Sequence, residues 1–136
     1  IERLKDRAEL PAEVTLVDGG TIGFTLLEPV EAARTLIIVD AMKTDDAPGT
    51  VHIFADEALD EFLAAPTQRS VHDANVGDVL RMSALRGTLP PHRILVGITA
   101  EDIGWNTTPS QAVVRGIETA CSEIKRIIEE DERWQS

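Results

Sequence analysis

Residues 35–54 read TLIIVDAMKTDDAPGTVHIF, and the fold turns on the first six of them. Leu36-Ile37-Ile38-Val39 is a continuous apolar run that stops on Asp40. Such a run reads as a strand buried on both faces, at the centre of a sheet. Downstream, Asp45-Asp46-Ala47-Pro48-Gly49-Thr50 is a strong turn signal. A second short strand follows at Thr50–Phe54, in which His52 points to the opposite face from Val51 and Ile53.

The rest of the chain alternates helix and strand around this stretch. Ile1, Leu4 and Ala8 have helical spacing, with Pro11 just past the expected end. Glu13–Asp18 reads as a short strand before the glycine turn at Gly19-Gly20. GFTLLEPVEAA reads as a helix broken or begun afresh at Pro29, and ADEALDEFLAAP is helix-leaning. In VHDANVGDVLRMSALRG, Val76, Val79, Leu80 and Ala84 share a helical face and Gly87 makes a stop. HRILVGITA is the second continuous apolar strand. The longest helix closes the chain, with Val113, Ile117, Cys121, Ile124 and Ile128 as its stripe and Thr108 and Ser110 as cap candidates. The expected architecture is a single α/β domain over residues 1–136. It is a three-layer sandwich: a twisted, mainly parallel sheet with helices on both faces.

Composition narrows the partners. The 136 residues are 43% hydrophobic and 27% charged, with a net charge of −11. That balance repels phosphate backbones and anionic membranes, and suits divalent cations or a basic protein segment. Aromatic residues make up 4% with no Tyr, which argues against stacking platforms for single-stranded nucleic acid. The lone Cys121 excludes an intramolecular disulfide or a multi-cysteine cluster and reads as a small core residue. No apolar run nears the roughly 20 residues that span a bilayer, so no membrane is expected and the cytoplasm is the expected location. No cap residue and no initiating Met precede the first helix. The expectation is a chain whose natural start has been removed, cleaved or simply left out of the sequence.

Ligands of open parallel sheets collect beyond the carboxyl ends of the strands. Asp18 and Asp40 both stand there. A carboxylate at the edge of an apolar sheet costs several kcal/mol, roughly, unless it is paired, hydrogen-bonded or metal-bound. Among the histidines, His92 reads as a surface loop residue and His52 as a satisfied structural one. His72 precedes or opens a helix, where an imidazole can point into a crevice. With Asp40 it offers a nitrogen and an oxygen donor, a set suited to Zn, Ni, Co or Mn. Gly19-Gly20-Thr21 is a turn whose N–H groups can approach a ligand closely. No dinucleotide fingerprint, P-loop, nucleophile elbow or H-E-x-x-H pair is present.

In chain order, LVDGGT, LIIVDAM running into APGTV, SVHDANVGDVL, and ILVGI before a C-terminal helix resemble the hydrogenase maturation proteases. The similarity runs over nearly the whole chain. It implies a cytoplasmic α/β endopeptidase that trims a short C-terminal extension from the [NiFe] hydrogenase large-subunit precursor after nickel insertion. The family's metal-binding trio is an acidic residue in an N-terminal loop, an aspartate ending a central strand and a histidine. The last two correspond to Asp40 and His72, which the resemblance makes both catalytic and metal-binding. Asp18, Gly19, Gly20 and Thr21 correspond to the substrate cleft. The divalent metal would be nickel carried by the substrate.

The family's first strand and acidic loop would lie ahead of Ile1, and a sheet without that strand has an open edge through which copies could associate. The chemistry implied is amide hydrolysis assisted by a cation, with Asp40 holding its geometry and Asp18 as a base or hydrogen-bond partner. The alternative is a non-catalytic checkpoint module that binds a metal or a partner without cleaving it.

Overall fold

The computed structural model of the chain describes residues 1–7, 10–19, 23–65, 73–101 and 108–130. Its elements in chain order are α1 (Glu2–Arg7), a 3₁₀ turn (Gly23–Leu26), α2 (Leu27–Ala32), β1 (Thr35–Met42), β2 (Val51–Ala55), α3 (Glu57–Ala64), α4 (Asp73–Leu85), β3 (His92–Thr99) and α5 (Gln111–Glu130). The sheet order is β1-β3-β2. β3 pairs in parallel along all eight residues of β1 and antiparallel along the five of β2, so parallel pairing predominates.

The second apolar run, not the first, takes the central place. Every residue of β3 after His92 is buried, whereas most of β1 is half-buried and Val39 is 38% exposed. The expectation that Leu36–Val39 sits mid-sheet is therefore corrected: β1 is an edge strand among the described residues. The carbonyls of Arg34 and Met42 accept N–H groups of His92 and Ala100. Backbone direction alternates along a strand, so Thr35, Ile37, Val39 and Ala41 turn their N–H and C=O groups to the outer edge.

The predicted strand at Glu13–Asp18 is also corrected. Residues 14–19 form neither helix nor strand, because no described strand lies beside them to complete a ladder. Their period survives without the hydrogen bonds. Val14 and Leu16 pack on the core while Thr15 and Val17 are exposed.

Helices cover both faces, as expected. On one side, Leu4 of α1 and Ala120, Ile124 and Ile128 of α5 enclose Ile94, Val96 and Ile98. On the other, Val30, Leu59, Phe62, Val79 and Leu80 enclose Met42 and Leu95. Arg93, at 9% exposure, ties β3 to α3 through paired contacts with both carboxylate oxygens of Asp60, and its Nη1 donates to Pro90 O at 3.1 Å. The hydrogen bond to Asp60 is the main cause that holds its guanidinium pKa above the ordinary value. His92 opens β3 instead of lying in a loop, its Nδ1 3.8 Å from Asp56 Oδ2. Among the described residues no helix is long and apolar enough to cross a membrane.

Candidate active site

Along β1, Leu36, Ile38 and Met42 face the layer of α2, α3 and α4. By alternation Asp40 points to that same side. It lies two residues from the strand's carboxyl end. Its Oδ1 accepts the N–H of Ala41 at 2.8 Å, one of the groups the outer edge leaves outside the ladder. An aspartate at this edge thus satisfies a backbone donor while keeping a carboxylate at the crevice.

α4 runs back along this face. Its carboxyl end closes in a Schellman turn: Thr88 N–H donates to Ser83 O, Gly87 N–H donates to Ala84 O, and Gly87 has φ +71°. From there the chain enters β3 at His92, so the start of α4 points toward the carboxyl ends of β1 and β3. His72 immediately precedes that start and lies outside the described residues, as do Gly20 and Thr21. Of the remaining expected site residues, Asp18 is exposed. Gly19 lies against Leu26, whose Cδ1 would be 3.1 Å from an added Cβ. Leu26 packs on the same layer that Asp40 faces.

The cross-strand register adds a row that pattern reading missed. Asp40 stands opposite Gly97, and Gly97 opposite His52, all on one face. A Cβ at Gly97 would collide with Met42 Sδ, so the glycine is what lets the Met42 side chain lie across the sheet. His52 has the structural role expected of it: Nε2 lies 3.1 Å from Thr99 Oγ1 and 3.3 Å from Asp46 Oδ2. Thr99 and Thr44 were not singled out from sequence. The available signal was Thr99 closing an apolar strand, much as Asp40 follows the apolar run of its own. Among the described residues no three His, Cys, Asp or Glu side chains converge to hold a metal ion.

A helix-covered, mainly parallel sheet defines an α/β protein, with Asp40 as a candidate group near the sheet's carboxyl edge. Residues 1–127 match the family described as hydrogenase maturation protease (HycI), and the chain belongs to that family. It is 39% identical over 103 residues to the hydrogenase expression/formation protein HoxM of Cupriavidus necator, covering 76% of this chain and 50% of that protein. It is 31% identical over 131 residues to the hydrogenase 2 maturation protease of Escherichia coli, covering 96% of this chain and 79% of that one. The solved structure of the E. coli hydrogenase maturating endopeptidase HybD superposes with a TM-score of 0.83 at 32% identity, covering 95% of this chain and 79% of that chain. The chain spans about half the length of HoxM.

Proposed function

We propose that the protein is an endopeptidase that removes the C-terminal extension of a [NiFe] hydrogenase large-subunit precursor after nickel insertion. The observation that carries this reading is the placement of Asp40. Its carboxylate stands at the carboxyl end of the β1–β3 pair, on the face along which α4 runs from the residue after His72. Family membership supplies the class of reaction.

In this reading the nickel belongs to the substrate, and Asp40 and His72 are the groups that meet it. Asp40 and His72 would hold that cation, and it would supply polarisation of the scissile carbonyl or activation of a water. The chain's own part is to orient. Asp40 is anchored through Oδ1 to the backbone beside it, and Asp18, Gly19, Gly20 and Thr21 are the residues proposed to meet the substrate. The net charge of −11 suits a protein partner with a basic segment and disfavours nucleic acid. The cytoplasm is the proposed compartment.

The test is intact mass spectrometry of nickel-loaded precursor incubated with the complete natural chain. Loss of a C-terminal peptide is expected. Asp40→Asn keeps an oxygen for the Ala41 N–H, so it should fold normally. Both it and His72→Ala should slow cleavage by about 10²-fold or more, the scale on which single site groups act. Nickel-free precursor should stay intact. Precursor that binds in a nickel-dependent way yet is never cut would replace the protease reading with the checkpoint module.

A further inference from the structure

A closed circuit of polar contacts stands at the carboxyl end of the sheet, and the proposed reaction does not use it. His52 Nε2 contacts Thr99 Oγ1 and Asp46 Oδ2, at 3.1 and 3.3 Å. Thr99 Oγ1 is 2.9 Å from Thr44 Oγ1, which in turn accepts the backbone N–H of Asp46 at 3.1 Å. Nε2 and the Thr99 hydroxyl share one hydrogen bond and the Thr99 and Thr44 hydroxyls another, with the Asp46 carboxylate at ion-pair distance from the ring. Thr99 is 2% exposed, and polar chains in such surroundings reinforce one another.

The circuit joins the 43–50 loop, β2 and the last residue of β3. Main-chain bonds hold the same loop, with Gly49 N–H donating to Thr99 O at 2.8 Å and Thr99 N–H to Thr50 O at 2.9 Å. From the other side the loop is pressed on α5. A Cβ on Gly116 would lie 2.6 Å from Gly49 O, and Gly49 itself, at φ +86°, abuts Ala112 O. The loop follows directly on the strand that carries Asp40, and His52 occupies the same cross-strand row as Asp40, with Gly97 between them.

We infer that His52 is a positioning residue: through Thr99 and Asp46 it fixes the 43–50 loop as a rigid wall beside Asp40, against which the peptide substrate lies. The inference rests on the protease reading above. His52→Leu and Thr44→Val each open the circuit, Thr44 being only half-buried and so the safer substitution for folding. His52→Gln returns an N–H donor close to the position of Nε2. Hydrogen exchange in the complete natural chain should show the Asp46 amide exchanging about tenfold faster in His52→Leu and Thr44→Val, with protection restored in His52→Gln. With nickel-loaded precursor, the two opening variants should raise KM about tenfold with kcat within about twofold, and His52→Gln should recover most of the loss. Unchanged exchange in both opening variants overturns the inference. Faster exchange with unaltered KM, or a fall in kcat alone, overturns it as well. If the unsubstituted chain leaves the precursor uncut, the protease reading fails, while the exchange measurement still decides whether His52 holds the loop.

Discussion

Gly97 shows how a single hydrogen in place of a methyl can shape the candidate site. It sits between Asp40 and His52 on the central strand, and the space its missing side chain leaves is filled by Met42, which is 2% exposed. Gly97→Ala would set a Cβ against Met42 Sδ, with Met42 Cγ only 2.7 Å away. The buried thioether cannot shift without displacing its neighbours, so the substitution should lower stability by about 1–3 kcal/mol, read as a lower urea midpoint at unchanged slope. Met42→Ala alone should cost about 2–5 kcal/mol, and the double variant should cost less than the sum, because the smaller side chain makes room for the new methyl. Strict additivity would mean the two side chains do not meet. At this scale the sequence showed that Asp40 ends an apolar run. It did not show that Ala41 is the local partner, since that depends on β1 lying at an edge.

Helix ends were more legible than helix faces. Gly87 as the stop of α4 follows from residue chemistry alone and is where it was expected, and of the two cap candidates for α5, Thr108 and Ser110, it is Ser110 that caps the helix. An added Cβ at Gly87 meets nothing within 4 Å, so Gly87→Ala should cost about 1–2 kcal/mol purely from its φ of +71°. Ser110 Oγ accepts the N–H of Val113 at 3.3 Å, so Ser110→Ala should cost about 1 kcal/mol and Ser110→Gly only a few tenths. Thermal melts of the three variants check the order.

The faces were less accurate because tertiary packing chose them. In α4 Val79 and Leu80 are buried as expected, but so is Ser83, whose hydroxyl donates to Val79 O at 3.0 Å, while Ala84 is exposed. In α5 the most buried positions are Gly116, Ala120, Ile124 and Ile128, while Val113, Ile117 and Cys121 are only partly covered. A stripe drawn from large apolar residues passes over Gly116, which is buried because the backbone at Gly49 crosses there. Glu13–Asp18 failed as a strand for a related reason: alternation specifies which residues face inward, and only a neighbour supplies the ladder.

At the scale of the whole molecule, β3 belongs to both cores. Its Ile94, Val96 and Ile98 face α1 and α5, and its Leu95 faces the layer of α2, α3 and α4. Neither layer can lose its helices without exposing one side of a strand whose hydrogen bonds the other layer also needs. Cooperative unfolding follows if those shared bonds outweigh the separate cores. Val96→Ala, at 0% exposure, should cost about 1.5–3 kcal/mol, and Leu95→Ala, at 3%, about 2–5 kcal/mol. The sharper expectation concerns where the loss appears. Either substitution should lower the hydrogen-exchange protection of the slowest amides in α4 and α5 by the same factor, because global opening governs both. The urea transition should remain single in each variant. If Leu95→Ala weakens α4 and leaves α5 protected, the two layers are separate cooperative units, and the face that carries Asp40 can open on its own.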